Sequence, residues 1–183
     1  MATVKSKIAI FLDRDGTIIV DKNYPSDPEG VELLSGAREA ITLLKNFGCL
    51  LFLFSNQSGI GRGLLTFDDA NACNRRMVTL LGCGDGVFDE ICMATEAPSA
   101  DPIYRKPSPR FILEMIEKYG LSKKNCHMVG DKESDVFAGI NAGINSALIL
   151  ENLEGNGNFS ANFDWQVFPS ILVFSNWLIS KNS

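Results

Sequence analysis

Two kinds of apolar pattern alternate along the chain: short unbroken runs, and longer stretches in which apolar residues return every third or fourth position. The runs at 8–12, 49–54, 88–94, 127–129 and 146–150 end in polar residues or glycine and have the length of strands covered on both faces. Between the first two, Ala37, Ala40, Ile41 and Leu44 fall at i, i+3, i+4 and i+7, which predicts a helix ending near Gly48. Thr66 followed by Asp69 predicts the cap of a second helix, with Phe67, Ala70, Met77, Val78 and Leu81 facing inward. Phe111, Ile112, Met115, Ile116 and Tyr119 mark a third helix, stopped at Gly120; two more are expected over 134–141 and 171–179. The Asn- and Gly-rich stretch 152–162 reads as a loop, and there is no internal repeat. Strands joined by crossover helices require an α/β fold: a mostly parallel, Rossmann-like sheet with helices on both faces. Such sheets bind ligands at the carboxyl ends of their strands, where the strand order reverses.

Composition narrows the picture. At 183 residues and 45% hydrophobic content the chain can bury one sizeable core, so a single domain over 1–183 is expected. A net charge of −5 disfavours a general nucleic-acid binder. No apolar stretch approaches the roughly 20 residues of a membrane span, and residues 1–7 have no signal-peptide profile; a cytoplasmic protein without a membrane partner, in the simplest case a monomer, is expected. The five cysteines, Cys49, Cys73, Cys83, Cys92 and Cys126, form no CxxC or CxC pair, which predicts reduced, mostly buried thiols.

Polar clusters at the predicted strand ends carry the chemistry. Asp13 and Asp15 lie where the first strand gives way to a loop with Gly16; Ser55, Asn56 and Gln57 end the second strand, and Asp131 the fourth. Aspartates at a strand-to-loop junction are ordinary, but acids, hydroxyl and amide delivered by three strands to one sheet edge are not. Arg105 and Lys106, in the loop after the third strand, bring cations to the same edge. Three carboxylates facing a phosphate monoester of about −2 charge repel one another unless a divalent cation and a lysine offset them, and hard oxygen ligands favour Mg²⁺. Asp13, closest to the rigid strand, is the better nucleophile; Asp15, on the loop, can swing to protonate a leaving oxygen, and Ser55 can hold phosphoryl oxygens. Arg62 either touches a phosphate or, as expected here, stabilises the adjoining helix or loop; His127, at the start of its strand, is expected to be structural.

The ordered set Asp13-Arg14-Asp15-Gly16-Thr17, Ser55-Asn56-Gln57, Arg105-Lys106-Pro107 and Gly130-Asp131 with Asp135 resembles the haloacid dehalogenase (HAD) superfamily of aspartate-nucleophile phosphatases. Around residues 13–24 and 55–63 the chain is similar, within that superfamily, to the heptose-bisphosphate phosphatases, over about residues 8–150. The resemblance implies a phosphorylated small-molecule substrate and an aspartyl-phosphate on Asp13. It places Mg²⁺ on Asp13, Asp131 and the backbone carbonyl of Asp15, with Lys132 beside them, and gives Ser55 and Lys106 the transferring phosphoryl group. Arg14, Asp21, Lys22, Asn23, Tyr24, Asn56, Gln57, Ser58, Arg105 and Lys132 would border the substrate, although Tyr24 could equally pack its loop. Asp135 would hold the loop or Lys106 rather than the metal.

One departure stands out. Heptose-bisphosphate phosphatases commonly carry a CxH…CxC zinc clamp before the RKP motif, whereas here Cys92 is followed by Ala94, Pro102 and Tyr104 at the other three positions. A lone thiolate cannot make a tetrahedral zinc site, so no zinc is expected. The loop 95–104 would then be held by its prolines and the packing of Ile103 or Tyr104. The stretches from Thr17 to Gly36 and from Ser55 to Lys106 leave no room for a cap domain, so the site should be open. Histidinol-phosphate phosphatase and polynucleotide 3′-phosphatase activities, and a non-catalytic phosphate-binding role on the same fold, are the alternatives.

Overall fold

A computed structural model describes residues 7–23, 26–151 and 165–183. Tyr24 and the whole of the expected 152–162 loop lie outside the described residues. Six strands, β1 (Ala9–Leu12), β2 (Leu50–Asn56), β3 (Glu90–Ala94), β4 (Cys126–Gly130), β5 (Asn145–Ile149) and β6 (Gln166–Phe168), form one sheet of order β3-β2-β1-β4-β5-β6. Every neighbouring pair is parallel. The helices are α1 (Ala37–Phe47), α2 (Ser58–Gly61), α3 (Phe67–Leu81), α4 (Arg110–Tyr119), α5 (Glu133–Ala142) and α6 (Ile171–Asn182).

Strand alternation divides the core in two. Ile10 and Leu12 of β1, with Leu51 and Leu53 of β2, pack under α1, α3 and α6; Ala9 and Phe11, with Phe52 and Phe54, pack under α4 and α5. On the second face Phe111 of α4 sets its edge against the stacked Phe11 and Phe52 rings. On the first, His127 lies among apolar groups, with Phe174 and Trp177 of α6 at 5.9 and 6.4 Å, which is the structural place expected of it. The capping box at Thr66 also forms: Thr66 Oγ1 accepts from Asp69 N, and Asp69 Oδ2 from Thr66 N.

The chain runs from β1 out to β3 and then crosses back to place β4 on the other side of β1, so the order reverses at β1. Loops leaving β1, β2 and β4 therefore meet over one crevice. Among the described residues no cap domain covers it. Residues 18–23 and 26–34 make only a narrow strap, in which Val20 N donates to Glu32 O, Leu34 N to Ile18 O, and a 3₁₀ turn at Pro28–Gly30 reverses the chain.

Candidate active site

Asp13 and Asp15 follow directly on β1, the most enclosed strand of the sheet, and Asp13 N stays tied to Val129 O of β4 at 2.9 Å. The loop can turn at once because Gly16 has φ +81°, and because it carries no side chain: a Cβ there would lie 2.3 Å from Asp131 Oδ2. Gly16 thus lets the loops after β1 and β4 close on each other. As a result Asp13, Asp131 and Asp135 each present an oxygen within 4.8 Å of the others.

Lys106 reaches into this cluster from the loop before α4. Its ammonium is 2.7 Å from Asp13 Oδ1, 2.6 Å from Asp135 Oδ1 and 2.7 Å from the Phe54 carbonyl, with the side chain fully enclosed. Burial presses the amine toward neutrality, but the two carboxylates outweigh it and raise the pKa, so the group is a cation. Asn56, at the end of β2, fixes the Lys106 backbone from both sides: Oδ1 accepts from its N–H at 2.9 Å, and Nδ2 donates to its carbonyl at 3.2 Å.

Asp135 is used up by this support, as expected of it: one oxygen faces Lys106 and the other accepts the Lys132 N–H at 2.9 Å. Asp131 is not. Its Oδ1 is buried with no donor among the described residues, and burial, then the charge of Asp13, pushes its pKa up to about 7. A buried, unsatisfied carboxylate oxygen beside a second carboxylate is what a hard cation relieves, so Asp13 and Asp131 fit Mg²⁺. The Asp15 carboxylate is not part of the cluster. Arg14 holds it by two bonds, Nε to Oδ2 at 2.9 Å and Nη2 to Oδ1 at 3.1 Å, and Gln57 Nε2 donates to Oδ2 at 3.0 Å. Gln57 also donates to Ser55 Oγ at 2.7 Å, which leaves the Ser55 hydroxyl proton free to point elsewhere.

A cleft of about 210 Å³ opens over this point, lined by Asp15, Asp21, Asn23, Gln57, Arg105 and Lys132 among others. Lys132 Nζ spans it to Asp21 Oδ2 at 2.9 Å and so ties the 18–34 strap to the loop after β4. A hollow of about 310 Å³ at the amino edge of the sheet, between Lys7, Cys49 and Asn182, holds no clustered carboxylates.

Most of the described residues expected at a substrate do line the cleft, including Asn56 and Ser58; two of them do not. Arg14 is completely buried and points into the protein, where Nη1 donates to Asn74 Oδ1 at 2.9 Å, so it orients Asp15 and touches no ligand in this arrangement. A guanidinium can stay there because Asp15, Asn74 and the Ala70 carbonyl take up its donors. Lys22 turns to Gly30 O and Glu32 within the strap. Arg62 is exposed at the end of α2, away from the cleft lining.

Three contributors were missed from sequence. Asn74 could have been found as the polar residue on the buried face of α3, and Ser134 as a polar residue in the first turn of α5 beside the cleft; Glu96 gave no local signal. Its Oε1 accepts from the backbone N–H groups of Ile103, Tyr104 and Arg105 at 3.0, 2.5 and 3.3 Å. Of the two side chains expected to pack this loop, Tyr104 does so, against the core under α4, whereas Ile103 is about half exposed and does not; the carboxylate, which was not expected, gathers the loop as well. The zinc clamp does not fit these residues. Burial pushes the Cys92 thiol up to about 12, and among the described residues no other thiol or imidazole joins it in a ligand group.

A HAD-hydrolase-like family model matches residues 103–167. The D-glycero-beta-D-manno-heptose-1,7-bisphosphate 7-phosphatase of Helicobacter pylori is 38% identical over 146 residues, 79% of this chain and 84% of that protein. The D-glycero-alpha-D-manno-heptose-1,7-bisphosphate 7-phosphatase of Campylobacter jejuni is 32% identical over 155 residues, 85% of this chain and 89% of that protein. The crystal structure of D,D-heptose 1,7-bisphosphate phosphatase from B. bronchiseptica, complexed with magnesium and phosphate, superposes with a TM-score of 0.82 at 27% identity, covering 95% of this chain and 99% of that chain. With this sheet order, this acid cluster and these relatives, the chain belongs to the HAD-like phosphatases, hydrolases of phosphoric monoesters.

Proposed function

We propose that the protein is a Mg²⁺-dependent phosphomonoesterase that removes the 7-phosphate of D-glycero-D-manno-heptose 1,7-bisphosphate through a phosphoryl group carried on Asp13. The observation that carries the reading is the meeting of Asp13, Asp131 and Lys106 at one point under an open cleft. Asp13, Asp131 and the Asp15 carbonyl would hold the cation, which when bound would offset the charge shared by the carboxylates and the phosphoryl oxygens.

Asp13 attacks phosphorus; the Asp13 O–P bond forms as the P–O bond to the sugar breaks, and Asp15 gives its proton to the departing sugar oxygen. Water then attacks the same phosphorus, Asp15 takes its proton, and inorganic phosphate leaves with the Asp13 carboxylate restored. Lys106 and the Ser55 hydroxyl stabilise the equatorial oxygens, whose charge is what this kind of transfer asks a protein to meet. Arg105 and Lys132, at the cleft wall, are placed for the part of the substrate that does not react. Relatives acting on the alpha and the beta anomer both match this chain, so the reading names the sugar and not its anomer.

Phosphate release from both anomers of the heptose bisphosphate, from histidinol phosphate and from a 3′-phosphorylated oligonucleotide, each with Mg²⁺ and after EDTA, tests the reading. Turnover fastest on the heptose, silenced by EDTA and restored by Mg²⁺, is expected. Preference for either other substrate, or activity that survives chelation, would reject it.

A further inference from the structure

One side chain gathers the stretch 103–105 of the loop that leads to α4. Glu96 Oε1 takes three successive backbone N–H groups, those of Ile103, Tyr104 and Arg105. Convergence of three N–H donors on one oxygen is the arrangement by which a loop binds an anion, and here the anion belongs to the chain itself. Burial pushes the Glu96 pKa up, and these bonds outweigh it to leave it below the ordinary value. The rest of the loop is closed around this point. Ser108 Oγ donates to Ile103 O at 2.7 Å, Ser108 N to Arg105 O at 3.0 Å, and the Tyr104 hydroxyl reaches both oxygens of Glu114 on α4 at 3.1 Å. The segment carrying Glu96 is itself pressed on by α2: a Cβ on Gly61 would lie 2.4 Å from the Thr95 carbonyl and 2.7 Å from Ala97 N.

The two cations of this loop are held differently. Lys106 has supports of its own in Asn56, Asp13 and Asp135. Arg105, at the cleft wall, has a buried Nε with no acceptor among the described residues, and its backbone N–H is one of the three that Glu96 takes. We propose that Glu96 is a positioning residue which, through the backbone amides of 103–105, fixes Arg105 at the cleft and does in this chain what a bound metal does for a tethered loop. The assignment of Arg105 to the substrate rests on the function proposed above; the clamp itself does not.

Two measurements on Glu96→Ala, Glu96→Gln and the wild type separate these claims. Amide hydrogen exchange at 103–105 should quicken roughly ten- to a hundredfold in Glu96→Ala, since a carboxylate hydrogen bond is worth about 1.5–3 kcal/mol, and less in Glu96→Gln, which keeps an acceptor. Exchange in β1 and β4 should not change, and a zinc-selective chelator should leave the wild-type loop as slow as before. In steady state, KM for the heptose bisphosphate should rise about tenfold or more in Glu96→Ala while kcat falls less than about threefold, and the double variant with Arg105→Ala should be no worse than Arg105→Ala alone. Unchanged exchange at 103–105, or a loop loosened by the chelator, overturns the clamp. Faster exchange with an unchanged KM, or a loss confined to kcat, overturns the positioning role. A wild type inactive on the bisphosphate counts against the functional reading, and the exchange rates then decide the clamp alone.

Discussion

Lys106 is a full charge with almost no contact with water, and its burial alone would cost several kcal/mol. Two carboxylates and a carbonyl offset that cost, so their removal has a calculable sign. Asp135→Ala leaves the ammonium with Asp13 as its one carboxylate, beside the Phe54 carbonyl; a stability loss of about 3–5 kcal/mol, read from urea unfolding, is expected, with phosphatase activity reduced in the folded fraction. Asp13→Asn differs, because Asp135 still holds the lysine: the melting temperature should move little while turnover drops by about a thousandfold or more, measured as phosphate release. Residual activity near the wild-type level would eliminate the covalent route. Asp13 and Asp131 were legible from sequence because the position of a residue just past an apolar run fixes which edge of a parallel sheet it occupies; Lys106, twelve residues beyond the end of β3, was legible as a cation in the loop that leaves that same edge. Arg14 was misplaced, since nothing local says that a charged residue between two aspartates turns inward to Asn74, distant along the chain. Glu96 was invisible because its partners are backbone amides, which every residue but proline carries, brought to it only by the course of a loop.

Among the elements, those with a period or a run of sufficient length were readable, and the short ones were not. Strand β6 has three residues, and α2 has four, with two glycines among them, which reads as loop. β3 starts at Glu90, later than the expected Phe88, because Val87 and Phe88 are buried in the core before the sheet pairing begins. The small helix nevertheless matters for packing. Gly61→Ala would set a methyl group against backbone atoms of 95–97 that have no rotamer to yield, and a loss of about 1–3 kcal/mol is expected, with quickened exchange at 103–105. Between β4 and α6 the packing sets a pH dependence. Burial lowers the His127 pKa from 6.5 to about 4, so the folded protein keeps the ring neutral while the unfolded chain protonates it. Stability from this site is present above about pH 6.5 and is lost as pH falls toward 4. His127→Gln should flatten the fall in melting temperature over that window by the equivalent of roughly 1–2 kcal/mol relative to the wild type, whatever it costs at neutral pH; parallel curves for the two proteins would refute the assignment.

At the scale of the whole molecule, the sheet that gives the fold its core also forces acids together at one edge, and the two effects oppose each other in stability. Asp131 is raised to about 7 by burial and by Asp13, against 3.8 for an ordinary aspartate, so between those values the folded chain without a cation binds a proton that the unfolded chain has released. Through this group the metal-free protein should therefore lose stability as pH rises from about 4 to about 7, a slope opposite to that of His127 over the window the two share, so that the net loss shows above about pH 6.5. A cation held by Asp13 and Asp131 competes with that proton, and so binds more tightly where the proton is already gone. Mg²⁺ should accordingly raise the melting temperature more at pH 8 than at pH 6; at a hundred times its dissociation constant the gain is about 2.7 kcal/mol, and the same total concentration at pH 6 should give visibly less. Differential scanning calorimetry at both pH values, with Mg²⁺ and with EDTA, measures the four numbers needed. Asp131→Asn supplies the control: it should remove the alkaline loss of stability and the Mg²⁺ shift together, because one carboxylate is the source of both. If the substitution abolished one and spared the other, the cation would have to be held elsewhere, and the crevice over β1 would lose its claim to be the place where phosphate is cleaved.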